Sequence, residues 1–233
     1  MRDATHGVAT NHASSVDAGH IKHTSLPDAV YTELRRRILN NEFIAGEHLV
    51  ESRIAEEFGV SRTTLRSALR NLANENLITM TDRRGSFVAR MSTTEIIDSC
   101  FARYLLEAGT ACHDLRWITP EVFDELELQI ERMKVSALTQ DMATIVDADT
   151  DFHSVILSAS ERPRVTELWH MLDGQMGSLM RSSLEQQGID MKDIVERHRE
   201  VIDALKTREA SVIEEAIRGH YLTHRVVNAP DGE

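Results

Sequence analysis

The sequence predicts a mainly α protein in which a small unit of three short helices, closed by a β-hairpin, precedes an all-helical bundle. Three observations carry this reading. Apolar residues recur at three- and four-residue intervals along most of the chain, the spacing of helices with one buried face, and strand-like runs are confined to residues 78–88. Hydrophobic residues make up 41 % of the 233 but aromatics only 5 %, so the core is aliphatic, which suits helix packing. Charge is divided: residues 1–91 hold 12 Lys/Arg against 11 Asp/Glu, while the rest hold 14 against 27, within a net charge of −12. Six arginines against two acids fall within residues 61–90. The length suits two unequal domains, and the charge division supplies the boundary.

Residues 1–24 are rich in Ala, Ser, Thr, His and Asp without hydrophobic period and read as a flexible tail, in which His6, His12, His20 and His23 are solvated. The start lacks the apolar core of a signal peptide, and no apolar run approaches the ~18 residues of a membrane span, so a cytoplasmic protein is expected. The first domain runs over 25–91, the second over 92–228, and 229–233 is a short tail. Cys100 and Cys112 fall on apolar positions of one expected helix and read as buried thiols.

The first helix opens with Ser25 as N-cap, Pro27 in the first turn and Asp28 three residues after the cap, and buries Val30, Tyr31, Leu34 and Ile38. A second, about Glu51 to Phe58, turns Ile54, Ala55 and Phe58 inward and stops at Gly59. In GVSRTTLRSALR, Ser61 caps a third helix whose core face is Leu65, Ala68, Leu69 and Leu72. Arg62, Thr63 and Arg66 are left at its exposed N-terminal end. Two short helices joined by a tight glycine turn form a helix-turn-helix, whose second helix offers its first residues to a DNA major groove. Arginine can grip a guanine edge with two hydrogen bonds, while hydroxyls and helix N-terminal amides hold phosphates. Ile78 to Met80 and Ser86 to Val88 then flank Asp82-Arg83-Arg84-Gly85, a hairpin wing with two arginines at its tip.

These residues carry a resemblance. Almost all of 28–91 is similar to the winged helix-turn-helix domain of GntR-type bacterial transcription regulators. The resemblance implies DNA contacts by Arg53, Ser61, Arg62, Thr63, Thr64, Arg66, Arg83, Arg84 and Gly85. Ala45, Ser67 and Asn76 depart from the family pattern, where Pro, Glu and Gly are usual; Asn76 tolerates the left-handed backbone that Gly would take there.

Beyond residue 92 only helices are expected. The first presents Ile96, Ile97, Cys100, Phe101, Tyr104, Leu105 and Ala108 at helical spacing. The next is capped by Thr119, starts at Pro120 and buries Val122, Phe123, Leu126, Ile130 and Met133. Others cover about 139–158, 163–186, 191–206 and 208–226. Three of these carry polar residues on the core stripe. Asp149 and His153 lie one turn apart among Met142, Ile145, Val146, Phe152, Ile156 and Leu157. His198 lies among Ile194, Val195, Val201, Ile202 and Leu205, and His220 follows Val212, Ile213, Ala216 and Ile217. His198 and His220 are equally far from the turn near residue 209, so an antiparallel hairpin sets them side by side. Three imidazoles and a carboxylate converging in a core make a divalent-metal site; the alternative is an Asp149–His153 ion pair with hydrogen-bonded core histidines. His113 and His170 fall off the stripes, and His224 follows His220 by a turn.

Residues 95–226, through the DFHSVIL, ERHREVIDAL and EEAIRGHYLTH segments, resemble the FCD ligand-binding domain of the FadR branch of the same family. The resemblance implies a metal held by Asp149, His153, His198 and His220, zinc first, with nickel, manganese or iron as alternatives. It further implies a small organic acid as effector, bound with the help of Arg103; Glu107 is the one-turn neighbour of Arg103, and an ordinary i,i+4 ion pair between them is the alternative. Ser160 stands where Asn is common. The expectation is a homodimeric, effector-controlled regulator that binds a near-palindromic double-stranded DNA operator, without enzymatic activity or a membrane partner. A metal sensor and, behind it, a metalloenzyme are the rivals.

Overall fold

A computed structural model describes residues 25–81, 84–172, 177, 180 and 190–222. The first unit is α1 (Leu26–Leu39), β1 (His48–Leu49), α2 (Glu51–Glu57), α3 (Arg62–Asn74), β2 (Ile78–Thr81) and β3 (Gly85–Val88). Ser25 caps α1 and accepts from the Asp28 amide, as its spacing predicts. Gly59, with φ +63°, makes the turn between α2 and α3, and Ser61 caps α3 by accepting from the Thr64 amide. Asn76 takes φ +53° where α3 gives way to the hairpin. Leu34, Ile38, Leu65, Leu69 and Leu72 are completely buried, so α1 and α3 meet along the stripes read from the sequence.

The hairpin forms as expected, Thr79 opposite Phe87 and Thr81 opposite Gly85, but a third strand joins it. β1 pairs antiparallel with β3, giving the order β1-β3-β2. Two residues carry no period, which is why β1 escaped the sequence reading.

The second unit comprises α4 (Thr93–Ala111), a 3₁₀ turn (Leu115–Trp117), α5 (Pro120–Thr139), α6 (Met142–Ala159), α7 (Pro163–His170), α8 (Met191–Thr207) and α9 (Ala210–Tyr221). Helix α5 packs along α6 and α8, and α9 lies against α4 and α8. Gln140, left-handed at φ +56°, ends α5, and Asp141 caps α6, so α6 starts three residues later than the apolar period suggests. Of the expected 163–186 helix, residues 173–176, 178–179 and 181–186 lie outside the described residues, as do the tails, Arg83 and His224.

Two expected faces are corrected. On α4, Phe101 and Leu105 are about half exposed, and the buried row instead includes Ser99, Arg103, Glu107 and Thr110. Polar groups turn inward because α4 borders a buried polar cluster rather than an oily seam: Glu107 meets His153 and Tyr221, and Arg103 stacks on Trp169. Val212 is also exposed, because it precedes Ile213 by one residue and so points about 100° away from the row formed by Ile213 and Ile217. Cys100 is buried and burial raises its thiol to about 11, so it is an unreactive core residue; Cys112 is half-buried.

The two units touch through α1 and α6. The Asn40 side chain, at the end of α1, accepts from the Met142 amide at 3.0 Å. Arg35 on α1 lies 2.8 Å from Asp147 on α6 and 3.1 Å from Glu75, which also accepts from Tyr31 Oη.

Candidate metal centre and DNA-facing groove

Asp149 and His153 sit one turn apart on α6, His198 on α8 and His220 on α9. One ligand atom from each falls within 4.8 Å of every other. Asp149 Oδ1 is 3.0 Å from His198 Nε2 and 3.9 Å from His153 Nε2, and His153 Nε2 is 3.0 Å from His220 Nε2. The antiparallel α8–α9 hairpin stacks the His198 and His220 rings edge to face, with centroids 4.5 Å apart. The structure brings together all four residues expected from the sequence, and the separations of 3.0, 3.0 and 3.9 Å are within the span of donors about 2 Å from one small cation.

Supporting hydrogen bonds fix the ring orientations. His198 Nδ1 donates to the Ile194 carbonyl at 2.7 Å, and His153 Nδ1 lies 2.9 Å from Glu107, which turns both Nε2 lone pairs toward the cluster. Glu107 also accepts from Tyr221 Oη at 2.7 Å. Burial, followed by the Glu107 charge, raises the Tyr221 phenol well above its usual value, so it remains a donor. Burial and then the imidazoles of His198 and His153 push His220 well below the ordinary histidine value, leaving a neutral ring. Burial alone would raise Asp149, but His198, His153 and Arg103 overcome it and hold the carboxyl below its ordinary range. An ionised carboxylate and a neutral His220 ring are protonation states that bind a metal. Among the described residues, Asp149 Oδ2 is buried without a hydrogen-bond partner, as an uncompensated carboxylate oxygen is when its natural partner is a cation. The donor set fits a divalent metal.

Arg103 is fully buried on α4, its guanidinium 3.8 Å above the Trp169 ring and 5.8 Å from that of Tyr221. Sequence reasoning missed Trp169 and Tyr221. The available signal was two large aromatics in an aromatic-poor chain, one of them directly following a cluster histidine.

The second region lies at the far end of the first unit. Arg53, Ser61, Arg62, Thr63, Arg66 and Arg84 are exposed, Thr64 and Gly85 half-buried. His48, Glu51, Arg62, Thr63, Arg66 and Gly85 line one groove between α2, α3 and the wing. Ser61 and Thr64 engage each other, their hydroxyls 2.8 Å apart, so both help to start α3. Gly85 takes φ +89°, a conformation L side chains rarely adopt, which reserves the position for glycine; a Cβ there would also push His48 Nε2, 2.7 Å away, aside.

A helix-turn-helix with a wing, joined to a helical bundle that holds a buried polar cluster, defines a DNA-binding regulator with a second, helical domain. Residues 26–88 match the family described as bacterial regulatory proteins, gntR family, and residues 98–223 match the FCD domain. The chain belongs to the GntR family of transcription regulators, in its FCD-bearing branch, and is not an enzyme. The gluconate operon transcriptional repressor of Bacillus subtilis (strain 168) is 29 % identical over 193 residues, spanning 81 % of this chain and 79 % of that protein. Two solved structures share the fold. A transcriptional regulator GntR from Rhodococcus sp. RHA1 has a TM-score of 0.70 at 20 % identity, covering 87 % of this chain and 98 % of that one. E. coli McbR/YncC has a TM-score of 0.65 at 21 % identity, covering 87 % and 96 %. Among the described residues no helix is long and apolar enough to cross a membrane.

Proposed function

We propose that this chain is a transcription repressor whose operator binding is controlled by a small organic acid, held at a divalent ion coordinated by Asp149, His153, His198 and His220. The convergence of these four ligand atoms within 4.8 Å carries the reading. When bound, zinc or a similar ion supplies a Lewis-acid position for a carboxylate oxygen. Arg103 supplies a fixed positive charge buried on α4 beside the cluster, and Glu107 keeps His153 turned toward the ion. The relative's title, naming a gluconate operon, is in keeping with a small carboxylate as signal and with repression as the sign of control.

At the DNA, Arg53, Arg62, Thr63, Arg66 and Arg84 meet bases and phosphates, while Ser61, Thr64 and Gly85 shape the surface. One such unit reads few bases, so a homodimer sets two α3 helices into successive major grooves of a near-palindromic site. Acid binding shifts the population between DNA-competent and released forms.

A thermal-shift screen of dialysed protein against small carboxylic acids, run beside chelator-treated protein and His198→Ala, tests the sensor half. One acid class should raise the midpoint only where metal and His198 are both present, and should release a DNA duplex enriched from a randomised library. Inert acids, with zinc alone switching that duplex, would instead make the ion itself the signal.

A further inference from the structure

Among the residues lining the DNA-facing groove, Glu51 is an acid beside arginines. DNA phosphates repel a carboxylate, so its placement there calls for a compensating task. Glu51 is the first residue of α2, and its side chain is 19 % exposed. Oε2 accepts from Arg66 Nε on α3 at 2.8 Å, and Oε1 lies 3.4 Å from the hydroxyl of Ser86, a buried residue of β3. One carboxylate thus ties the start of α2, the exposed turn of α3 and the wing strand. Arg66 is otherwise open, its side chain 60 % exposed. Engaging Nε leaves the two terminal nitrogens, a parallel pair matched to the O6 and N7 acceptors of guanine.

We infer that Glu51 is a positioning residue for base reading: it holds the Arg66 fork toward a guanine edge and does not itself contact DNA. Without that brace the guanidinium would swing to the nearest phosphate, which keeps attraction to any DNA and loses the sequence information. The carboxylate works in the same direction by weakening the attraction to phosphate that every sequence offers. The inference rests on Arg66 being a DNA contact.

The test uses the full-length protein, a duplex enriched from a randomised library by the unmutated chain, and a shuffled duplex of the same composition. Glu51→Ala should lower affinity for the enriched duplex about tenfold, a loss of the size set by one well-aligned arginine–guanine pair. Affinity for the shuffled duplex should stay level or rise, and re-enrichment with the variant should yield sites that have lost a guanine preference. Glu51→Gln, which keeps a neutral acceptor and the side-chain shape, should fall between. In an Arg66→Ala background, Glu51→Ala should have no further effect on discrimination. Equal losses on both duplexes would mark Glu51 as a purely structural residue and overturn the inference. So would unchanged discrimination in both Glu51 variants while Arg66→Ala still loses it. If Arg66→Ala costs no discrimination, the reading of Arg66 beneath the inference fails with it.

Discussion

Arg62, Thr63 and Arg66 stand in solvent around their groove, whereas Asp149, His153 and His198 are each at most 2 % exposed. The difference lies in when each set meets its partner. Exposed arginines remain hydrated without DNA, so they cost the fold little and can wait. Ionised groups in a core lose their water on folding and must be compensated by hydrogen bonds, by one another or by a cation. The exposed set can therefore be altered without touching the core, whereas the buried set is part of it.

The most damaging way to probe that contrast is to remove a buried ligand. His198→Ala should weaken metal binding more than a hundredfold, beyond the loss caused by outer partners, and elemental analysis should show the dialysed variant without its ion. Retention of a full ion would remove His198 from the ligand set. Glu107→Gln leaves all four donors but loosens the His153 orientation, and competition with a chromogenic chelator should read a roughly 10- to 100-fold weaker site. On the exposed side, Arg62→Ala should cost about 1–3 kcal/mol in binding to an enriched duplex and leave the thermal midpoint in place. A fall in both would erase the separation drawn above.

Titration sharpens the same line. Asp149 and His220 both have lowered values in the fold, so the unfolded chain takes up protons first. Their contribution is intact above the unfolded histidine value of about 6.5 and is lost as pH falls, first through His220 and then, below about 3.8, through Asp149. The midpoint of chelator-treated protein should therefore drop between pH 7.5 and 5, and His220→Gln should flatten that slope. A flat profile in the unmutated protein would show that the imidazole is not held neutral. The smallest effect belongs to the helix cap: Ser61→Ala should cost about 1 kcal/mol in urea unfolding, because one N-terminal amide of α3 loses its acceptor.

What could be read from the sequence follows from how far each signal reaches along the chain. Caps such as Ser25, Ser61 and Thr119, and the rows Met142 to Leu157 and Ile194 to Leu205, are local and period-bound, and the structure reproduces them. The four cluster residues were legible because polar groups on apolar rows are anomalous, and equal distance from one turn brings His198 beside His220. Helix α4 misled because its apolar residues point both ways; what it packs against decided that Arg103 and Glu107, not Phe101 and Leu105, turn inward. The Tyr221–Glu107 bond joins residues 114 apart, and the Arg66–Glu51 pair crosses from one helix to another. Such contacts leave no mark in a local period.

Helix α6 faces two ways. Asp149 faces the buried histidine cluster, while Asp147, two residues earlier and so nearly opposite on the helix, holds Arg35 of α1. Asn40 fastens the first turn of the same helix. A helix moves as a body, so α6 couples the buried Asp149 row rigidly to the Asp147–Arg35 pair. A displacement of α6 within the bundle would therefore be felt first at Arg35 of α1 and at its C-cap Asn40.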